Sequence, residues 1–160
     1  MATAKKSTAK KPAASARAAK TDATVMLQRD HADVKKLFKQ YEKLADAEAD
    51  GAERQALATQ ICQMLTVHAT IEEEIFYPAA REAEVEHASA KDLIAQIESM
   101  SPDDDLYDAK VTVLGEYIDH HVQEEENEMF PKCRRAKMDL AGLAERMAER
   151  KSELMAEEAA

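Results

Sequence analysis

Glycine and proline are scarce, at 3 and 4 residues in a chain of 160, tryptophan is absent, and aromatic residues make up only 4%. Strand-favouring runs of Val, Ile, Thr and aromatics are almost missing as well, which argues against a sheet-based fold. The 2 cysteines, Cys62 and Cys133, lie far apart and do not make a disulfide framework, so a reducing, cytoplasmic setting is expected. No apolar run approaches the roughly 18–20 residues that a membrane helix needs. No hydrophobic stretch follows the basic N-terminal residues, so that end does not read as a secretory signal. What is abundant is Ala, Glu, Lys, Leu, Met and Gln, all good helix formers. The length suits one domain with a proper core, and the expected class is all-α.

Acid outweighs base, giving a formal net charge of -10, but unevenly. Residues 1–21 carry Lys5, Lys6, Lys10, Lys11, Arg17 and Lys20 and no acid, so the remainder stands at -16 by formal counting. An acidic body repels nucleic acid, and only the tail is suited to weak contact with a polyanion. The tail is low-complexity Ala/Lys/Ser with nothing large to bury, and is expected to be disordered.

From Thr24, the residues Leu27, His31, Val34, Phe38 and Tyr41 recur at helical spacing and predict a first helix to about Ala49. Gly51 marks a turn. A second helix carries Leu57, Ile61, Leu65, His68, Glu72 and Ile75, with Pro78 expected to kink its last turns. A shorter third helix spans Val85–Ser99. Ser101-Pro102-Asp103-Asp104 reads as the N-cap and first turn of a fourth helix, which runs to about Arg135 with Pro131 near its end. Leu140, Leu143, Met147 and Leu154 predict a further amphipathic helix, packed outside the bundle or against a partner. Short connections favour an antiparallel up-down four-helix bundle over residues 22–136, followed by a C-terminal helix over 137–160.

An internal repeat carries the chemistry. His68-Ala-Thr-Ile-Glu72-Glu73-Glu74-Ile-Phe-Tyr-Pro78 overlays His121-Val-Gln-Glu-Glu125-Glu126-Asn-Glu-Met-Phe-Pro131. Each His-x-x-x-Glu follows a lone histidine, His31 by 37 residues and His87 by 34. Residues i and i+4 share one helix face a turn apart, so each His–Glu pair can meet the same small object. Two facing hairpins would converge four imidazoles and two carboxylates, a donor set suited to first-row transition metals. The arrangement that follows places one ion on His31 and His68 and a second on His87 and His121, with Glu72 and Glu125 between. Taken singly, a lone histidine on an apolar face is more often a hydrogen-bonded core residue, and a Glu run a solvated face. The twofold repeat is what reverses that reading.

These residues resemble the hemerythrin HHE family over about residues 24–135, most specifically in His-x-x-x-Glu-Glu-Glu-x-Phe-x-Pro. The resemblance implies a non-heme di-iron centre, two carboxylate-bridged Fe ions, in an up-down four-helix bundle of the kind found in myohemerythrin. By analogy the ligands are His31, His68, Glu72, His87, His121 and Glu125. It also implies a ligand such as O2 or another small oxidant (peroxide or NO), to be sensed, stored or handled. The alternatives are a peroxide- or NO-consuming enzyme and an iron-binding or iron-sensing protein. In the respiratory carriers two histidines stand a turn apart on the third helix, whereas here the positions four before and four after His87 are Ala83 and Lys91. The second iron is thus one imidazole short, with Glu84, a water or Tyr117 to fill the gap, Tyr117 reading otherwise as a plain core residue. His120 points roughly 100° away from His121 around the helix and reads as a supporting or exposed residue, exchange with His121 being the alternative.

Overall fold

The computed structural model describes residues 21–81 and 87–160. The tail expected to be disordered lies, but for its last residue, outside the described residues. The elements are α1 (Ala23–Asp46), α2 (Gly51–Ile71), π1 (Glu72–Phe76), α3 (Tyr77–Ala80), α4 (Ala88–Ser99), α5 (Tyr107–Glu124), π2 (Glu125–Met129), α6 (Phe130–Arg135) and α7 (Leu140–Glu158). The protein is all-α. Segments α2–π1–α3 and α5–π2–α6 are continuous, so each π segment is a one-turn change of winding inside a long helix.

Pairings across the bundle fix its topology. On α1, His31 meets His68 while Tyr41 and Arg54 converge on Asp108, so α1 and α2 run antiparallel. Phe38 lies against Gly115, and His87 and Gln96 pair with His121 and Lys110. Neighbours therefore alternate in direction, the up-down order expected of short connections. Gly115 interrupts a helix at a cost of about 0.5–1 kcal/mol, for a visible reason: a Cβ there would stand 3.1 Å from the Phe38 ring.

Helix ends follow local chemistry. The Asp22 side chain accepts from the Val25 N–H at 3.0 Å and caps α1. Gly51 does not sit in the turn but opens α2, behind Asp50. Ser101-Pro102 does not open the fourth helix either. Its polar groups close a turn of their own, Asp104 N–H onto the Ser101 carbonyl and Ser101 N–H onto the Asp104 side chain, both at 3.0 Å, so α5 begins at Tyr107. Of the third helix expected from Val85, the described part starts at Ala88. Pro78 and Pro131 each stand just after a π segment. Proline has no N–H to donate and its ring crowds the carbonyl four residues back, here Glu74 and Asn127. The wider π turn accommodates both.

Two apolar clusters fill the interior. One, around Tyr41, Ile61, Leu65, Ile97, Val111 and Leu114, occupies the end bearing the Tyr41–Asp108–Arg54 network. The other, around Leu27, Ile71, Phe76, Phe130, Leu143 and Met147, occupies the opposite end. Of the two placements open for the C-terminal helix, α7 takes the one on the bundle: it buries Leu143, Ala144 and Met147 in the second cluster. Arg150 clasps Glu74, and Lys151 reaches Asp30. Cys62 and Cys133 are buried, one in each cluster, and form no disulfide; burial, with Glu98 nearby, pushes the Cys62 thiol up to about 12. Among the described residues no helix is long and apolar enough to cross a membrane.

Candidate metal centre

Between the two clusters lies a layer of buried polar groups. His31, Glu72, His87, His121 and Glu125 are buried, none more than 8% exposed, and His68 shows 11% of its side chain. They form two groups suited to hold a cation, His31–His68–Glu72–Glu125 and Glu72–His87–His121–Glu125, within each of which one donor atom per residue lies within 4.8 Å of the others. Both carboxylates belong to both groups.

The imidazoles are oriented alike. His31 Nε2 faces His68 Nε2 at 3.2 Å, and His87 Nε2 faces His121 Nε2 at 3.3 Å. Three Nδ1 atoms turn outward onto carboxylates: His31 onto Glu126 at 3.0 Å, His68 onto Asp30 at 3.0 Å and His87 onto Glu73 at 2.8 Å. Each brace comes from an element other than the one bearing its histidine. A histidine so braced holds one ring orientation and keeps its other nitrogen for an inward partner. The Glu72-Glu73-Glu74 run, a solvated face when taken alone, therefore divides into three roles: Glu72 enters the core, Glu73 braces His87, and Glu74 takes Arg150.

The fit to a cation rests on two oxygens. Glu72 Oε1 and Glu125 Oε2 are fully buried without a hydrogen bond, although His68 Nε2 and His31 Nε2 stand 3.0 and 3.2 Å away. Neither contact has hydrogen-bonding geometry, so each oxygen keeps a lone pair without a bonded partner in the core and is open to a metal cation. The donor set, imidazole together with carboxylate, is one that first-row transition metals accept.

Sequence reasoning missed Tyr77. Its hydroxyl has one proton to donate and stands within hydrogen-bond reach of two carboxylates, Glu72 Oε2 at 2.9 Å and Glu125 Oε1, and it lies 3.3 Å from His87 Nε2 and 3.5 Å from His121 Nε2. On an α-helix a residue five beyond Glu72 stands roughly 140° away, so α-helical periodicity turns Tyr77 from the site. The π segment closes that angle, the Tyr77 N–H bonding to the Glu72 carbonyl. One signal was available: the repeat aligns Tyr77 with Phe130, whose ring stacks on His31 at 5.9 Å. The two halves differ there by one hydroxyl. Burial and the Glu72 and Glu125 carboxylates raise the Tyr77 phenol far above its ordinary range, so it remains a donor.

Tyr117 and His120 take other places. Tyr117 packs against the first cluster and lines a cavity beside the site, while it is Tyr77 that reaches the space beside His87. His120 is exposed and pairs with Glu124 at 3.3 Å, whereas His121 is the neighbour that joins the buried cluster. Glu84 lies outside the described residues.

Electrostatics favours protonated imidazole next to carboxylate. Burial works against a charged His68, but Glu72 and Asp30 outweigh it and raise the group from 6.5 to about 10. Burial likewise opposes ionised Glu125, yet His121 and His31 hold it well below the carboxylate range. A proton held more tightly in the folded chain stabilises the fold below pH 6.5, and that contribution fades as pH rises toward 10. The metal-free chain is therefore expected to lose roughly 5 °C or more in melting temperature between pH 7 and 10, since about 1 kcal/mol moves a chain of this size by some 2–4 °C. A melting temperature flat over that range would mean that His68 is neutral in the metal-free fold.

A family model, the hemerythrin HHE cation binding domain, matches residues 22–133. A DNA nickase of Nostoc sp. (strain PCC 7120 / SAG 25.82 / UTEX 2576) is 30% identical over 118 residues, which cover 68% of this chain and 32% of that protein. The chain thus spans about a third of the length of this curated relative. No solved structure gives a significant match. A family match over most of the chain joins a buried His/Glu cluster of the kind that binds cations, and the chain belongs to the hemerythrin HHE cation-binding family.

Proposed function

We propose that this protein holds two iron ions and binds O2 or a related small oxidant at them. His31 and His68 would hold one ion, His87 and His121 the other, with Glu72 and Glu125 shared. The observation that carries the reading is the pair of four-residue groups with both carboxylates in common, each carboxylate having one oxygen without a hydrogen bond. Iron, when bound, supplies the redox chemistry toward the oxidant; the chain supplies the setting. The braces Asp30, Glu73 and Glu126 fix three imidazoles. The two apolar clusters keep bulk water away on either side, which strengthens each electrostatic contact inside. Tyr77 holds a proton at its phenolic oxygen, facing the half of the site that is one imidazole short. Because that hydroxyl has no counterpart at Phe130, the halves are chemically unequal, and His87–His121 is the side on which a ligand would meet a hydrogen-bond donor.

Full-length protein loaded anaerobically with ferrous iron is expected to bind two irons per chain. On exposure to air it should develop near-ultraviolet charge-transfer bands that bleach on reduction. Fewer than two irons and no such bands would end this reading. Turnover of peroxide or NO is the second reading, favoured by the same imidazole shortage, and steady oxygen evolution from peroxide that disappears in His68→Ala would establish it. DNA nicking, the activity in the name of the Nostoc relative, is the weaker one, given the shared third of that protein and the -16 charge beyond the tail. Supercoiled plasmid incubated with the iron-loaded chain is expected to stay intact.

A further inference from the structure

A cavity of about 250 Å³ opens beside the metal centre between α2, α4 and α5. Leu65, Ala90, Ile94, Ile118 and Tyr117 form its walls, and its inner end is closed by Glu72, His87 and His121. Lys91 and Glu98 stand among its more exposed residues. An apolar body with a few polar groups gathered at one end is the usual form of a small-molecule site.

Size and charge narrow the guest. A diatomic or a peroxide occupies little more than a water, whose share of the liquid is about 30 Å³, so the cavity is several times larger than the proposed oxidant requires. Water is a poor occupant, because the walls offer it few of the 2–4 polar partners it needs. An apolar cavity of about 150 Å³ is enough for benzene. Among the described residues an anion finds no unpaired cation: the Lys91 ammonium is held by both Glu73 oxygens at 2.7 and 2.8 Å, and the His68, His87 and His121 imidazoles that line the inner end already face the Glu72 and Glu125 carboxylates. Glu72 at the inner end repels it further.

We propose that this cavity binds an uncharged, largely apolar organic molecule of one or two small rings, lying against the His87–His121 side of the centre. The inference goes beyond the reading of the metal site and does not depend on it, because the walls are present without an ion. Indole serves as the neutral probe and benzoate, of similar size, as the charged one. Methyl NMR of Leu65, Ile94 and Ile118 follows both in the full chain without metal, and iron uptake is measured separately. Indole is expected to shift these methyls with a dissociation constant below about 1 mM, and benzoate to bind at least tenfold more weakly. Ala90→Leu, which fills the cavity, should weaken indole at least tenfold; if that variant unfolds, Ala69→Leu at the half-buried cavity wall replaces it.

Unmoved methyls, equal binding of benzoate, or undiminished binding by a folded cavity-filling variant would each overturn the proposal. Indole binding by a chain that takes up no iron would leave the cavity site standing and remove the metal reading. Two irons per chain with no indole binding would do the reverse.

Discussion

Glu72→Gln is expected to lower affinity for the metal pair by at least about 100-fold while leaving the metal-free fold standing. Residues that merely support a metal ligand cost about 10–100-fold when removed. Glu72 belongs to both donor groups, so its loss should exceed that range. The amide keeps the side chain's shape but offers one neutral oxygen in place of two that share a negative charge. Its NH2 group would also point donors at a space that His68 and His87 already border. The metal-free chain has less to lose. Tyr77 can still donate to the amide oxygen, and an uncharged group removes a carboxylate oxygen now buried without a hydrogen bond. A change in unfolding free energy below about 2 kcal/mol is expected. The variant should also flatten the alkaline decline in melting temperature, because Glu72 is one of the two groups that raise His68. Metal per chain and chelator competition measure the first effect, and urea melts the second. Unchanged stoichiometry and affinity would show that Glu72 is not shared between two ions.

The second large effect is on stability. Phe130→Ala should cost about 3–5 kcal/mol in the metal-free chain, the range for deleting a fully buried aromatic ring. Phe130 has no exposed surface and meets Phe76 edge-to-face at 5.8 Å and His31 in a stack at 5.9 Å. It also belongs to the cluster into which α7 packs, so the cavity left behind would loosen both α7 and the wall of the metal layer. The midpoint of urea unfolding should fall with little change in slope, which separates a loss of stability from a change in the unfolded chain. Val113→Ala, at a side chain 48% exposed on α5, is the control, expected within about 0.5 kcal/mol of the parent. A Phe130→Ala loss below 1 kcal/mol would mean that the second cluster collapses around the gap.

The all-α class, the antiparallel order and the six convergent residues were legible because each rests on a regularity carried along the chain. Helix-forming composition and the near absence of turn residues decide the class. Spacing i, i+4 places His68 with Glu72 and His121 with Glu125 whatever the surroundings, because both members lie on one helix face. The repeat then says that two such pairs exist. Helix starts were less legible. Ser101 and its acids can cap a helix or close a turn, and nothing local to that segment decides between them.

What the tertiary structure alone decided concerns groups that meet across elements or through a change of winding. Asp30, Glu73 and Glu126 sit beside Glu or His residues of the site, yet each braces a histidine from a different element, and sequence adjacency does not reveal which. Tyr77 enters the site only because π1 alters the helical angle, which regular periodicity cannot register. The placement of α7 depends on matching its apolar stripe to a cluster assembled from both hairpins. The sequence by itself thus determined a twofold set of donors on helix faces. Packing determined their orientation, their outer partners and the inequality of the two halves, because those depend on distances between segments remote in the chain.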